Sequence, residues 1–184
     1  MKLTASFLVE KLADSPSTEA ANRVVHKLRV IAKIGADNQA CVAEVGAIPW
    51  LIPLLDSNDP HLQINTVTTV LNLSILEGNK RRIMDADNSF DAVIHVLRSR
   101  ATWEAKENAA ATVLSLSAET AYRKRFGRDP RVVKGLVDLV RDELAAVLNW
   151  WEMWRRWGGW WRHGLWRWRW SRCRRRQRRL RRCW

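Results

Sequence analysis

Apolar residues along this chain recur at a spacing of three, three and one, first at Ile48, Leu51, Leu54 and Leu55. The spacing returns 42 residues on at Phe90, Val93, Val96 and Leu97, and 43 further at Val133, Leu136, Leu139 and Val140. It marks one face of a helix, whereas a strand would alternate. Longer stretches at 63–76 and 106–118 predict helices of about three to four turns. These are copies too, since VLNLS (Val70 to Ser74) and VLSLS (Val113 to Ser117) lie 43 residues apart. Leu28, Leu71 and Leu114 share one column at that offset, and Val24, Val67 and Ala110 share a second. Asp59-Pro60 is a helix start, because the carboxylate caps free N–H groups and the proline ring pre-sets φ. Gly46, Gly78 and Gly127 are expected to punctuate helix ends. The predicted unit is two or three helices over 41 to 43 residues, present at least three times.

A helical period of this length is shared by the armadillo and HEAT solenoids, where each unit exposes an apolar face that the next one covers. Period alone leaves those two open. VGAIPWLIPLLDSND (Val45 to Asp59) resembles an armadillo second helix and its loop. LNLSILEGNKRRIMDA (Leu71 to Ala86) and KENAAATVLSLSAE (Lys106 to Glu119) are similar to the armadillo repeats of plant U-box ubiquitin ligases. SFLVEKLADS (Ser6 to Ser15) and KLRVIAK (Lys27 to Lys33) look like the opening of that repeat region. The resemblance covers roughly residues 4–149 and implies an all-α, right-handed armadillo superhelical solenoid of about three repeats over residues 1–149. In that family a U-box precedes the repeats and recruits the ubiquitin-conjugating enzyme. No segment here resembles one, so the chain as given is expected to lack ligase activity and to hold no catalytic site.

The resemblance also implies a binding surface. Armadillo third helices line a groove where polar side chains bond the main chain of an extended partner, a task suited to an Asn amide that donates and accepts. Asn72 stands at the position of that Asn ladder and Asn149 at its last equivalent, while Ser115 and Arg29 occupy the sites between and before. Asn22, Asn65 and Asn108 form a second column, placed one face away. The expected partner-binding residues are therefore Arg29, Asn65, Asn72, Asn108 and Ser115. Hydrogen bonding within the solenoid is the competing role for every Asn among them, since half-buried polar groups must be satisfied. The expected partner is a protein segment, and the expected location cytoplasmic or nuclear.

Candidate chemistry elsewhere weakens on inspection. Asp85, Asp87, Ser89 and Asp91 resemble the start of a calcium loop, but Phe90 stands where the turn needs Gly and Val96 where a closing Glu belongs. His26, His61 and His95 have no Cys or carboxylate at ligand spacing, so neither metal nor cofactor is expected. Cys41 is expected to be core packing. Three Cys are too few for a disulfide framework. No apolar run reaches 18 residues, the length a membrane-spanning helix needs.

Charge divides the chain in two. Of 32 basic and 19 acidic residues, 13 Arg and one acid, Glu152, lie between Trp150 and Trp184, together with 10 of the 12 Trp. Residues 1–149 are nearly neutral. Read literally, a 150–184 tail of Arg and Trp suggests nucleic-acid or anionic-membrane binding. Yet Trp166, Trp168 and Trp170 alternate while Trp150, Trp154 and Trp157 have helical spacing, so no face gathers the rings. Nor do Cys173 and Cys183 form a ligand pair.

The genetic code offers another origin. Trp is always TGG, so reading one nucleotide earlier forces Leu after Val147, Leu148 and Asn149, and VLNL is the string at Val70 to Leu73. The tail is therefore expected to be out-of-frame text from a GC-rich gene, and nucleic acid and membrane are not expected partners. A second irregularity lies just before it: Leu148 follows Leu114 by 34 residues where the period requires 43, so about nine are missing around Arg141 to Glu143. A last unit so shortened lacks a polar cap, so the chain is expected to be aggregation-prone, and deleting 150–184 to improve its behaviour without abolishing helical content.

Overall fold

Three side chains at the repeat period start three of the long helices. Ser17 accepts a hydrogen bond from the Ala20 N–H (3.2 Å), Asp59 from Leu62 (2.6 Å) and Thr102 from Ala105 (3.2 Å). Each satisfies one of the amide protons that a helix N-terminus leaves without an acceptor. The helices they open are α2 (Thr18–Ile34), α5 (Pro60–Ser74) and α8 (Trp103–Ser117). The computed structural model describes residues 1–99 and 102–157, with side chains up to residue 144.

Around these run α1 (Lys2–Ala13), α3 (Ala36–Glu44), α4 (Ala47–Leu51), a 3-10 turn (Pro53–Asp56), α6 (Glu77–Met84), α7 (Ser89–Arg98), α9 (Thr120–Arg128) and α10 (Pro130–Trp157). No strand occurs among the described residues. Two complete three-helix units follow one another, α3 to α5 and α6 to α8. The chain divides into two compact units, Met1–Arg141 and Asp142–Trp184. Of the second, only the C-terminal part of α10 is described, and the expected boundary at Asn149–Trp150 falls inside that helix.

The expected stack is present in the first unit: α2 packs on α5 and α5 on α8. Val25, Leu28, Val67, Leu73 and Leu116 are fully buried between or behind these helices. Side chains of each following first helix close the carbonyl ends. Gln39 donates to the Ala32 carbonyl (3.2 Å), Asn79 to Leu73 (3.2 Å) and to Gln39 of the unit before (3.1 Å), and Arg123 to Ser117 (3.1 Å) and Ala118 (3.0 Å). Phe126 of α9 meets Phe90 of α7 with ring centroids 4.9 Å apart, and the Arg125 guanidinium lies 4.0 Å over the Phe90 ring.

Several local expectations change. The segment 48–55 is not one helix, because Pro53 has no N–H to continue α4 and the chain tightens into the 3-10 turn. Gly46 opens α4 with φ +80°, a left-handed conformation that glycine adopts without a Cβ penalty. Gly78 is the second residue of α6 and Gly127 the last but one of α9, so both lie at helix ends but just inside them. Cys41 is half-buried on α3 rather than a full core residue. Most telling is α10, which runs 28 residues without a break. In the two complete units the second and third helices are separate elements, the 3-10 turn ending at Asp56 before α5 starts at Pro60 and α7 ending at Arg98 before α8 starts at Trp103, whereas α10 is continuous.

Candidate third-helix interface

The five expected contact residues occupy one stripe of the third helices. Asn65 and Asn72 are seven residues apart on α5, close to two turns. The two Asn columns therefore share a face instead of lying a face apart, as Asn108 and Ser115 do on α8. All are half-buried.

Each of four side chains on this stripe donates to the preceding third helix. Asn65 Nδ2 donates to Asn22 Oδ1 (2.6 Å), and Asn108 Nδ2 to Thr68 Oγ1 (2.8 Å). Ser115 Oγ donates to the Ser74 carbonyl (2.9 Å). Asn72 Nδ2 reaches the Arg29 carbonyl at 3.5 Å, the limit at which such a bond still counts. Asn65, Asn108 and Ser115 thus stitch neighbouring units together, which is the competing structural role. Asn72 is held most loosely. Arg29 contributes its backbone oxygen to this row. Asn149 lies outside the residues whose side chains are described.

Sequence reasoning missed Thr68, which lies between Asn65 and Asn72 and accepts the Asn108 bond. Its place in the same stripe, three residues after one Asn and four before the other, was the available signal.

A second concavity of about 1120 Å³ lies against α4, the 3-10 turn, α7 and the start of α10. Two of its carboxylates are paired, Asp56 with His95 (3.0 Å) and Asp91 with Arg131 (2.8 Å). Asp85, of the would-be calcium loop, pairs with Arg81 (3.3 Å). Among the described residues no group of three or more His, Cys, Asp or Glu is placed to hold a metal ion. No single helix there is long and apolar enough to cross a membrane.

Electrostatics cluster where units meet. Lys80, nearly buried on α6, pairs with Glu77 (2.8 Å). Hydrogen bonds from Lys80 and from the Glu119 carboxyl hold Glu77 below the usual glutamate range, and the shared bond to Glu77 raises Glu119. Hydrogen bonding to Arg131 lowers Asp129, and Lys2 lowers Glu44 in the same way.

Comparison with known proteins agrees with this architecture. Residues 35–75 match the armadillo/beta-catenin-like repeat, which here is α3 through α5. The chain is 54% identical over 156 residues to U-box domain-containing protein 16 of Arabidopsis thaliana, covering 80% of this chain and 23% of that protein. It is 45% identical over 105 residues to U-box domain-containing protein 1 of Medicago truncatula, covering 57% and 15%. The chain therefore spans less than a quarter of the length of these relatives. In the first alignment about nine of the 156 positions have no residue in this chain, the size of the shortfall that the repeat period gives.

Among solved structures, a designed armadillo repeat protein shares the fold at a TM-score of 0.60 and 20% identity, over 74% of this chain and 63% of that one. So does a computationally designed armadillo repeat protein made for modular peptide recognition, at 0.58 and 20%, over 73% and 52%. The chain is an armadillo-repeat solenoid, similar in sequence to plant U-box domain-containing proteins.

Proposed function

We propose that this armadillo module binds an extended protein segment along its third-helix stripe, as the substrate-recruiting part of a ubiquitin ligase. Its repeats and relatives are those of a protein-interaction module. What supports groove binding is Asn72. Its neighbours Asn65, Asn108 and Ser115 make bonds of 2.6 to 2.9 Å to the preceding unit, whereas Asn72 makes one of 3.5 Å. An amide that contributes so little to the stack is the one a partner backbone can engage at least cost. A designed relative in fold made for peptide recognition supports the same reading. Cytoplasmic or nuclear location belongs to the proposal, as does the ligase pathway.

Peptides selected against the full chain from a displayed random library provide the test. Asn72→Ala should weaken the selected peptides ~10-fold or more, and Trp50→Ala, exposed on α4 and not on a third helix, should leave them unchanged. Binding indifferent to Asn72→Ala and lost with Trp50→Ala would place the site elsewhere.

A further inference from the structure

The groove around Asn72 is electrically plain on one side and charged on the other. Helix α5 holds no Asp, Glu, Lys or Arg, so amides, hydroxyls and apolar groups make up its stripe. Arg29 of α2 occupies the place of Asn72 one repeat earlier, and the two residues meet, since the Arg29 carbonyl is the oxygen that the Asn72 amide reaches at 3.5 Å. Arg29 is half-buried. Among the described residues no carboxylate lies within ion-pair distance of its guanidinium, whereas Arg23 pairs with Glu19 (2.7 Å), Lys80 with Glu77 (2.8 Å) and Arg131 with Asp91 (2.8 Å).

This column stays open within the stack. Helix α5 has a third helix packed on each side, α2 and α8, and Asn72 is still only half-buried. Ile75, three residues beyond Asn72 on the same face of α5, is 62% exposed between the same two neighbours. A third helix stacked on both sides therefore leaves this edge uncovered, and the openness of the column at Arg29 does not depend on the place of α2 in the row.

The surroundings specify what fits. A half-buried guanidinium without a counter-charge has lost hydration that an anion replaces. A carboxylate does so with two parallel hydrogen bonds, while a basic side chain at the same place is repelled. Helices packed side by side lie about 8–10 Å apart. An extended segment advances about 3.3 Å per residue, so the residue over Arg29 is about three positions from the one whose main chain Asn72 engages. An apolar side chain suits Ile75, whose exposed surface it removes from water.

We propose that the segment bound by the third-helix stripe is acidic, placing one Asp or Glu against Arg29 and an apolar side chain against Ile75. The proposal rests on the stripe being the binding surface. Peptides selected against the full chain from a displayed random library test it. They should share an Asp or Glu at one fixed position, and its replacement by Ala should weaken binding ~10-fold. Arg29→Glu should weaken the same peptides by more than ~10-fold, and exchanging the peptide's acid for Lys should restore binding to that variant. Ile75→Ser should weaken them ~5-fold. The Arg29 side chain makes no bond to a described residue, so Arg29→Glu should keep the helicity and urea midpoint of the parent, and the neutral Arg29→Gln should bind with intermediate affinity. Selected peptides without a shared acid, binding weakened by Asn72→Ala but indifferent to Arg29→Glu, or a Lys exchange that restores nothing would overturn the acidic segment and leave groove binding standing. Peptides indifferent to both Asn72→Ala and Arg29→Glu would overturn groove binding and this proposal together.

Discussion

Alanine at Asn65 and at Asn72 should separate residues that hold the stack from the residue available to a partner. Asn65 donates to Asn22 over 2.6 Å across the α2–α5 junction, and the pair is half-buried. Losing such a bond costs about 1 kcal/mol net, and leaving the Asn22 oxygen without its donor adds to that. Alanine returns about 0.5 kcal/mol in helix propensity. Asn65→Ala should therefore destabilise the chain by about 1 kcal/mol. The 3.5 Å contact of Asn72 contributes almost nothing, so the propensity gain dominates and Asn72→Ala should be neutral or stabilising by up to ~0.5 kcal/mol. Urea denaturation at fixed protein concentration, compared at constant m, reads both differences. A double-mutant cycle with Asn22→Ala should give a coupling of about 1 kcal/mol. The reasoning fails if Asn72→Ala costs as much as Asn65→Ala, or if the Asn22–Asn65 coupling is indistinguishable from zero.

Other outcomes follow from the same contacts. Leu28→Ala, at a fully buried position, should cost about 2–5 kcal/mol, whereas the equivalent Leu114→Ala should cost less than ~0.5 kcal/mol by urea melts. Asp59→Ala removes the cap of α5 and should cost about 1 kcal/mol, with Asp59→Ser recovering most of it. Glu44 and Asp129 are lowered in the folded chain, so the stability they supply is present above their unfolded pKa values and is lost as pH falls through the folded ones. Glu119 is raised, so its contribution is present below its unfolded value and is lost as pH rises through the folded one. Carboxyl-carbon NMR should therefore show Glu44, Glu77 and Asp129 titrating below their usual ranges and Glu119 above, with Lys2→Ala returning Glu44 to normal.

Much of the fold was legible because it repeats. The offset of 43 located α5 and α8 to within three residues of their starts, and the polar caps at Ser17 and Thr102 lie 42 and 43 residues from Asp59. Second helices were harder, since apolar spacing does not register that Pro53 interrupts hydrogen bonding. Residue types on the candidate stripe were legible, and so was its alignment, because seven residues are two turns; the separation of Asn65 from Asn72 onto different faces was an error of helical arithmetic. Which Asn is engaged and which is loosely held was not legible. That depends on how closely helices 40 or more residues apart approach, a property of packing that no local pattern encodes. The shortened last unit was legible as a nine-residue deficit. Its consequence, an unbroken α10 and an exposed Leu114, required the structure.

The claim that recognition resides in the repeats is tested most directly by salt. Residues 1–149 are nearly neutral, while residues 150–184 hold 13 Arg and one acid. The affinity of a selected peptide for the full chain, followed across ionic strength, should change with a log–log slope smaller than ~1, since a near-neutral groove releases few counterions. A slope steeper than about −3 would mean that several Arg contacts carry the binding, and would move recognition from the third helices to the tail.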